Sequence, residues 1–237
     1  RNMHILEAND RTTPLKIDID LRFDHDILTR KDEHPKSVSA LCPVASPPRI
    51  LTNTHIDALV ATVIKKVDYW AARETMREWT DDNLSGNIHT EMPDMPYNPR
   101  YGVVFQRDRP YVGDSGVIKD GLHIVFPELV TSSLTQFIVR GSVIESLKTL
   151  LQENTAHERE VAPLYDLVSR LKNCKNAIED MYDKAVISRN PWMMYGSDKP
   201  GKENNRYKIV AIVHVGHDYK TTREDPQEFI TRIKSLL

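Results

Sequence analysis

Cysteine is scarce in this chain: Cys42 and Cys174 are the only two in 237 residues, far apart and in no Cys-x-x-Cys pair. That spacing excludes a structural zinc site built on cysteine. Two isolated thiols suit a reduced, intracellular protein. Long apolar runs are missing as well, and none approaches the roughly 18 residues that suggest a membrane span. The start, Arg1-Asn2-Met3-His4, has neither the apolar segment of a signal peptide nor an initiator Met, so it reads as part of a longer chain. A charge excess is also lacking: 32 Lys and Arg stand against 34 Asp and Glu, a net charge of -2. This removes the global basic signature of a protein that holds nucleic acid by charge alone. No Gly-x-x-x-x-Gly-Lys-Ser/Thr phosphate loop occurs, and there is no internal repeat or low-complexity tract.

What is present is the composition of a water-soluble domain. Hydrophobic residues make up 40% and charged residues 28%, with a mean hydropathy of -0.48. The length suits one unit, residues 1–237, or two lobes sharing a cleft. Charge is uneven: six basic residues against two acidic ones lie between Lys184 and Lys208.

Leu15 to Phe23 alternates apolar and polar residues at period two, which predicts a strand with one buried face. Thr54 to Thr80 predicts a helix, with Thr54 as its N-cap and Ile56, Leu59, Val60, Val63, Ile64, Val67 and Trp70 on one stripe. Tyr101–Gln106, Leu122–Phe126 (ended by Pro127) and Tyr207–Val215 predict strands, with a turn or hairpin over 113–121. Ser132–Leu151, Arg159–Ala177 and Pro226–Leu237 predict helices. Residues 24–48 and 81–100 predict loops, and Gly196-Ser197 a turn. Strands and helices alternate irregularly, so the fold class is α+β with a largely antiparallel or mixed sheet.

Asp18 and Asp20 fall at i and i+2 of the first strand, so both carboxylates share one face, roughly 6–7 Å apart by strand rise. Ile17, Ile19 and Leu21 share the other. Paired carboxylates repel unless something positive lies between them, and hard oxygen ligands suit Mg2+ or Mn2+. The polar face of an edge strand is the other reading of this feature. His123 follows a glycine on its own strand, where a structural hydrogen-bonding role competes with a functional one. Asp183 is one of three nearby acids, with Glu179 and Asp180. Ser197 and Lys199 sit in a Gly-containing turn, where a hydroxyl and an ammonium suit a phosphate and a plain surface turn is equally compatible.

In order, Ile17-Asp18-Ile19-Asp20, Gly121-Leu122-His123 and Tyr182-Asp183 resemble the three motifs of the archaeo-eukaryotic primase superfamily. The run from Asp183 to Tyr195-Gly196-Ser197-Asp198-Lys199 is similar to the primase domain of primase–helicases from large DNA viruses and related mobile elements. The resemblance spans roughly Lys16 to Lys208. Two departures stand out. Gly121 occupies a position often held by Ser, and a long insertion separates His123 from Asp183, which keeps Asp180 as an alternative third acid.

The resemblance implies a primase catalytic core, α+β with mixed or antiparallel sheets (an RRM-like half), flanking helices and a central cleft. It implies a nucleotidyltransferase, a DNA primase or DNA-directed polymerase acting in replication. Asp18, Asp20 and Asp183 would be both catalytic residues and ligands of two Mg2+ or Mn2+ ions. His123 would bind the triphosphate of an NTP or dNTP, with Ser197, Lys199, Lys119 and Arg22 as further phosphate donors. A single-stranded DNA template would follow the basic stretch near Lys202–Lys208, with Trp192 or Tyr195 for stacking. A helicase domain in the same longer chain, with a hexamer among its forms, is expected outside residues 1–237. The location implied is intracellular, at replication sites, in host cytoplasm or nucleus for a virus. Competing readings are a primer-extending or lesion-tolerant polymerase, another Asp-x-Asp metal enzyme such as a nuclease or a nucleotide-sugar transferase, and a non-enzymatic replication module.

Overall fold

The computed structural model describes residues 6–7, 12–24, 49–84, 100–113, 115–153, 162–188, 192–193 and 206–235. Its elements run β1 (Leu6–Glu7), β2 (Thr12–Asp24), α1 (Asn53–Leu84), β3 (Tyr101–Arg107), β4 (Tyr111–Val112), β5 (Val117–Ser132), α2 (Ser133–Glu153), α3 (Ala162–Leu171), α4 (Ile178–Met181), α5 (Ala185–Ser188), β6 (Trp192–Met193), β7 (Tyr207–Val215), β8 (Thr221–Glu224) and α6 (Pro226–Lys234).

Six strands form one sheet in the order β2-β5-β3-β7-β8, with β4 paired to β5, and every pairing is antiparallel. β1 and β6 pair separately. The fold is the α+β, antiparallel arrangement expected from the sequence. No helix among the described residues is long and apolar enough to cross a membrane.

Alternation decides which sheet face is buried. Leu15, Ile17, Ile19, Leu21 and Phe23 of β2 and Ile118, Leu122, Ile124 and Phe126 of β5 join one core, closed by Val60 and Ile64 of α1, Leu147 of α2 and Leu167 of α3. Burying each such aliphatic side chain contributes about 1.5–3 kcal/mol. The opposite face carries the alternate residues: Asp18, Asp20 and Arg22 on β2, and Lys119, Gly121 and His123 on β5. Two small clusters sit on that face, Val125 against Val186 and Ile187 of α5, and Val103 and Ile212 against Phe229 of α6.

Several expectations change at the element ends. The α1 cap is Thr52 rather than Thr54: Thr52 Oγ1 accepts from the His55 N–H at 3.4 Å, and His55 Nδ1 accepts from the Thr52 N–H at 3.2 Å. This is a reciprocal box with His in the place Glu or Gln usually takes. The helix also continues to Leu84, into the stretch expected to be loop. Pro127 does not end β5, which continues to Ser132. The β2 register shifts between Pro14 and Leu15, opposite residues 127–129. Pro127 therefore lies in a bulge, beyond the part of β5 that pairs with β3, where a missing N–H breaks no ladder. Helix α3 stops at Leu171 instead of Ala177, because the chain turns there to run beside β2. Strand β8 was not expected. The expected loop over 25–48 and the turn at Gly196-Ser197 lie outside the described residues.

Candidate active site

Asp18 and His123 are direct cross-strand partners, as are Asp20 and Gly121. His123 Nε2 lies 3.3 Å from Asp18 Oδ1. The close approach of β2 and β5 explains the glycine: a Cβ on residue 121 would sit 2.3 Å from the Ile19 carbonyl oxygen. A Ser here would meet the same obstacle.

Asp183 arrives from the other side of β2. Residues 174–183 run along the free edge of that strand, with isolated bridges Phe23↔Cys174 and Ile19↔Tyr182. Lys175 N donates to Arg22 O at 2.7 Å, and Asp183 N to Asp18 O at 2.9 Å. The Asn176 amide donates to Asp20 O at 2.7 Å and accepts from Arg22 N at 3.1 Å. An edge that would otherwise be exposed is thereby satisfied. Tyr182 anchors the segment. It is fully buried, its hydroxyl donates to Lys16 O at 3.0 Å, and its carbonyl accepts from Arg140 Nε at 2.8 Å. Burial holds the Tyr182 phenol well above its usual range. Between His123 and Asp183, α2 and α3 lie over the core face, and residues 174–183 return beside Asp18.

Asp18, Asp20, Asp183, His123, Lys119 and Arg22 all line one polar cleft of about 230 Å³. That is smaller than the roughly 300–1,000 Å³ of a pocket enclosing a whole drug-sized ligand, so a long polar ligand would extend out of it. Asp180 is exposed and is not part of the lining. Arg22 turns back on its own strand: its Nε and a terminal nitrogen both donate to Asp20 Oδ2, at 3.0 and 2.7 Å. The Asp20 hydrogen bond and charge raise the Arg22 basicity further. Asp183 Oδ1 accepts from the Ala185 N–H at 2.8 Å, at the start of α5. Lys119 lines the cleft in no ion pair among the described residues.

Three carboxylates on one cleft are the right donors for a hard divalent cation. They fit in kind and in shared location. Among the described residues, no three His, Cys, Asp or Glu side chains are gathered closely enough to hold an ion, and Asp20 is occupied by Arg22.

Arg107, Arg109, Tyr111, Asp120 and Tyr207 also border the cleft and were not singled out in the sequence. The run Arg107-Asp-Arg-Pro-Tyr111 after a strand was the available signal. Asp120 is on the core face. Its carboxylate accepts from the Ile50 N–H at 2.7 Å and the Leu51 N–H at 3.3 Å and pairs with Arg49 at 3.4 Å, fixing the approach to α1. Burial pushes its pKa up, against those hydrogen bonds and Arg49. Lys208, expected near the template, is paired with Asp108 at 2.8 Å. Ser197, Lys199, Tyr195 and Lys202 lie outside the described residues, as does the Trp192 side chain.

The family model of the C962R protein N-terminal AEP domain (AEP, archaeo-eukaryotic primase) matches residues 1–213. A relative named "Putative helicase L207/L206", from Acanthamoeba polyphaga mimivirus, is 26% identical over 127 residues, covering 54% of this chain. The chain spans only 11% of that relative's length. The match takes in most of the chain, so this chain belongs to the archaeo-eukaryotic primase superfamily, as a C962R-type N-terminal AEP domain.

Proposed function

We propose that this chain is the catalytic module of a DNA primase–polymerase, which adds nucleotides to a growing strand under direction of a single-stranded DNA template. One observation supports this best: the Asp18–His123 and Asp20–Gly121 pairs face each other across β2 and β5 in a cleft that also takes Asp183. Asp18, Asp20 and Asp183 would hold Mg2+ or Mn2+. When bound, the cations lower the pKa of the attacking 3′-hydroxyl and neutralise charge on the pyrophosphate leaving group.

The chain's own residues do the rest. His123 contacts the triphosphate from the cleft floor. Lys119, in no ion pair among the described residues, supplies a mobile positive charge to the same phosphates. Arg22 keeps Asp20 compensated and would be a phosphate donor if a cation were held at Asp20. Ser197 and Lys199 are proposed as additional phosphate donors on the strength of the family motif. The similarity to a viral helicase about five times the length of this chain, the same aligned stretch being 54% of the one and 11% of the other, supports a helicase domain in the same longer polypeptide. In that setting residues 1–237 are one catalytic unit working inside the cell at replication sites.

The test is to incubate the protein with unprimed single-stranded DNA, Mn2+ or Mg2+, and labelled NTPs or dNTPs. Product on unprimed template identifies a primase, and product on primed template alone a polymerase. Shortened template with no incorporation would replace this reading with a nuclease.

A further inference from the structure

The cleft side of β3, β4, β5 and β7 holds four flat groups in successive contact. The His123 and Tyr207 rings lie 4.0 Å apart between centroids at an interplanar angle of 20°. The Arg107 guanidinium sits 4.7 Å from the other ring, Tyr207, and 5.1 Å from that of Tyr111. His123, Tyr207 and Arg107 are each at least nine-tenths buried. Aromatic and cation–π contacts of this kind are directional and restrain ring orientation.

A β-bulge puts Tyr207 in the stack. Val104 pairs with Ala211, but Phe105 pairs with Ile209, so Val210 is the extra residue. Without it, Lys208 would face Arg107. With it, Tyr207 faces Arg107 and joins the side that Phe105 shares with His123. Bulges near active sites commonly re-aim a side chain in this way.

We infer that Tyr207, backed by Arg107, is a positioning residue that fixes the plane of His123, so that its Nε2 is presented to the cleft beside Asp18. This deepens the proposed function and rests on His123 contacting the triphosphate. The imidazole has one edge on Asp18 and one face on Tyr207. A ring free to rotate about χ2 would have to be ordered by each incoming nucleotide. A ring already clamped needs no such ordering, and the saving appears as tighter nucleotide binding.

The experiment is a double-mutant cycle on the full chain, reading the affinity for dATP with Mn2+ and the KM and kcat of incorporation. Tyr207→Leu should weaken dATP by roughly three- to tenfold, the range an aromatic stack accounts for. The change should fall on KM more than on kcat, and Tyr207→Phe, which restores the ring, should recover it. Tyr207→Leu added to His123→Ala should cost nothing further, because the residue acts through the histidine. An equal loss in the His123→Ala background overturns the proposal, and so does a loss in Tyr207→Phe matching that in Tyr207→Leu. If Tyr207→Leu does not fold, Tyr207→His (a flat ring) and Tyr207→Met (none) replace the pair. The His123 ring-proton shifts of the ligand-free protein separate the two claims. A ring-current displacement lost in Tyr207→Leu supports the clamp even if dATP fails to bind, in which case the proposed function fails and the positioning of His123 stands. No displacement in the wild type overturns the clamp.

Discussion

A side chain on residue 121 would have nowhere to go, since its first carbon would press on the Ile19 backbone. Only strand separation could relieve that contact, and the strands concerned carry Asp18 and His123. Gly121→Ala is therefore expected to cost about 1–3 kcal/mol, the range for overpacking a tight interior site, as read from urea midpoints. It should lose nucleotide incorporation more steeply than stability. The His123→Ala variant should fold normally and raise the KM for nucleotide with a smaller change in kcat, as for a group that binds substrate and transition state alike. Lys119→Ala should act in the same direction, and steady-state kinetics over nucleotide concentration check both.

Asp120 sets a pH dependence at this scale. Burial raises its pKa above the ordinary value of 3.8, so the folded state holds the proton more tightly than the unfolded chain. Its contribution is full below about pH 4 and declines as pH rises through the elevated folded value. Relative to Asp120→Asn, the wild type should lose stability from pH 3 towards pH 6, measured by urea melts across that window. An unchanged difference over the window would contradict this assignment.

Among the elements, the buried His55 joins two helices that cover the core face. Its Nε2 lies 2.7 Å from Asp166 Oδ2 on α3, and Nδ1 accepts a backbone N–H at the start of α1. Burial pushes the Asp166 carboxyl up, but the hydrogen bonds from His55 and Arg170 outweigh it and hold the pKa below its usual value. That contribution is present above the ordinary carboxylate range and fades as pH falls through the lowered folded pKa. Asp166→Asn should flatten the acid limb of the stability profile, and thermal melts between pH 2 and 5 would show it.

At this scale the sequence was legible where one periodicity extended over a whole segment. The alternation in Leu15–Phe23 predicted both the strand and the face carrying Asp18 and Asp20, and the stripe from Ile56 to Val67 predicted the buried side of α1. It failed where tertiary contacts overrode a local signal. Pro127 normally terminates a strand, but the bulge in the β2 pairing leaves its position without a required hydrogen bond. The apolar pattern up to Ala177 suggested a longer α3, but Lys175 and Asn176 instead bond to the β2 edge. In the cleft, the motif residues were found by their order along the chain. Tyr207 was read only as the first residue of a strand, because its role depends on the Val210 bulge and on a partner two strands away.

For the molecule as a whole, the sheet separates two tasks. One face is an apolar core under α1, α2 and α3. The other brings acids from β2 and the 174–183 segment together with the His and Lys of β5. Because the core contacts avoid Asp18, replacing that carboxylate should leave the fold intact. The most direct measurement is metal-dependent extension of a primed DNA template by wild type and Asp18→Asn at matched, folded concentrations. The account predicts template-complementary addition by the wild type and a loss of more than about a hundredfold in Asp18→Asn, the scale for removing a group that stabilises transition-state charge. Addition by Asp18→Asn at the wild-type rate would contradict it.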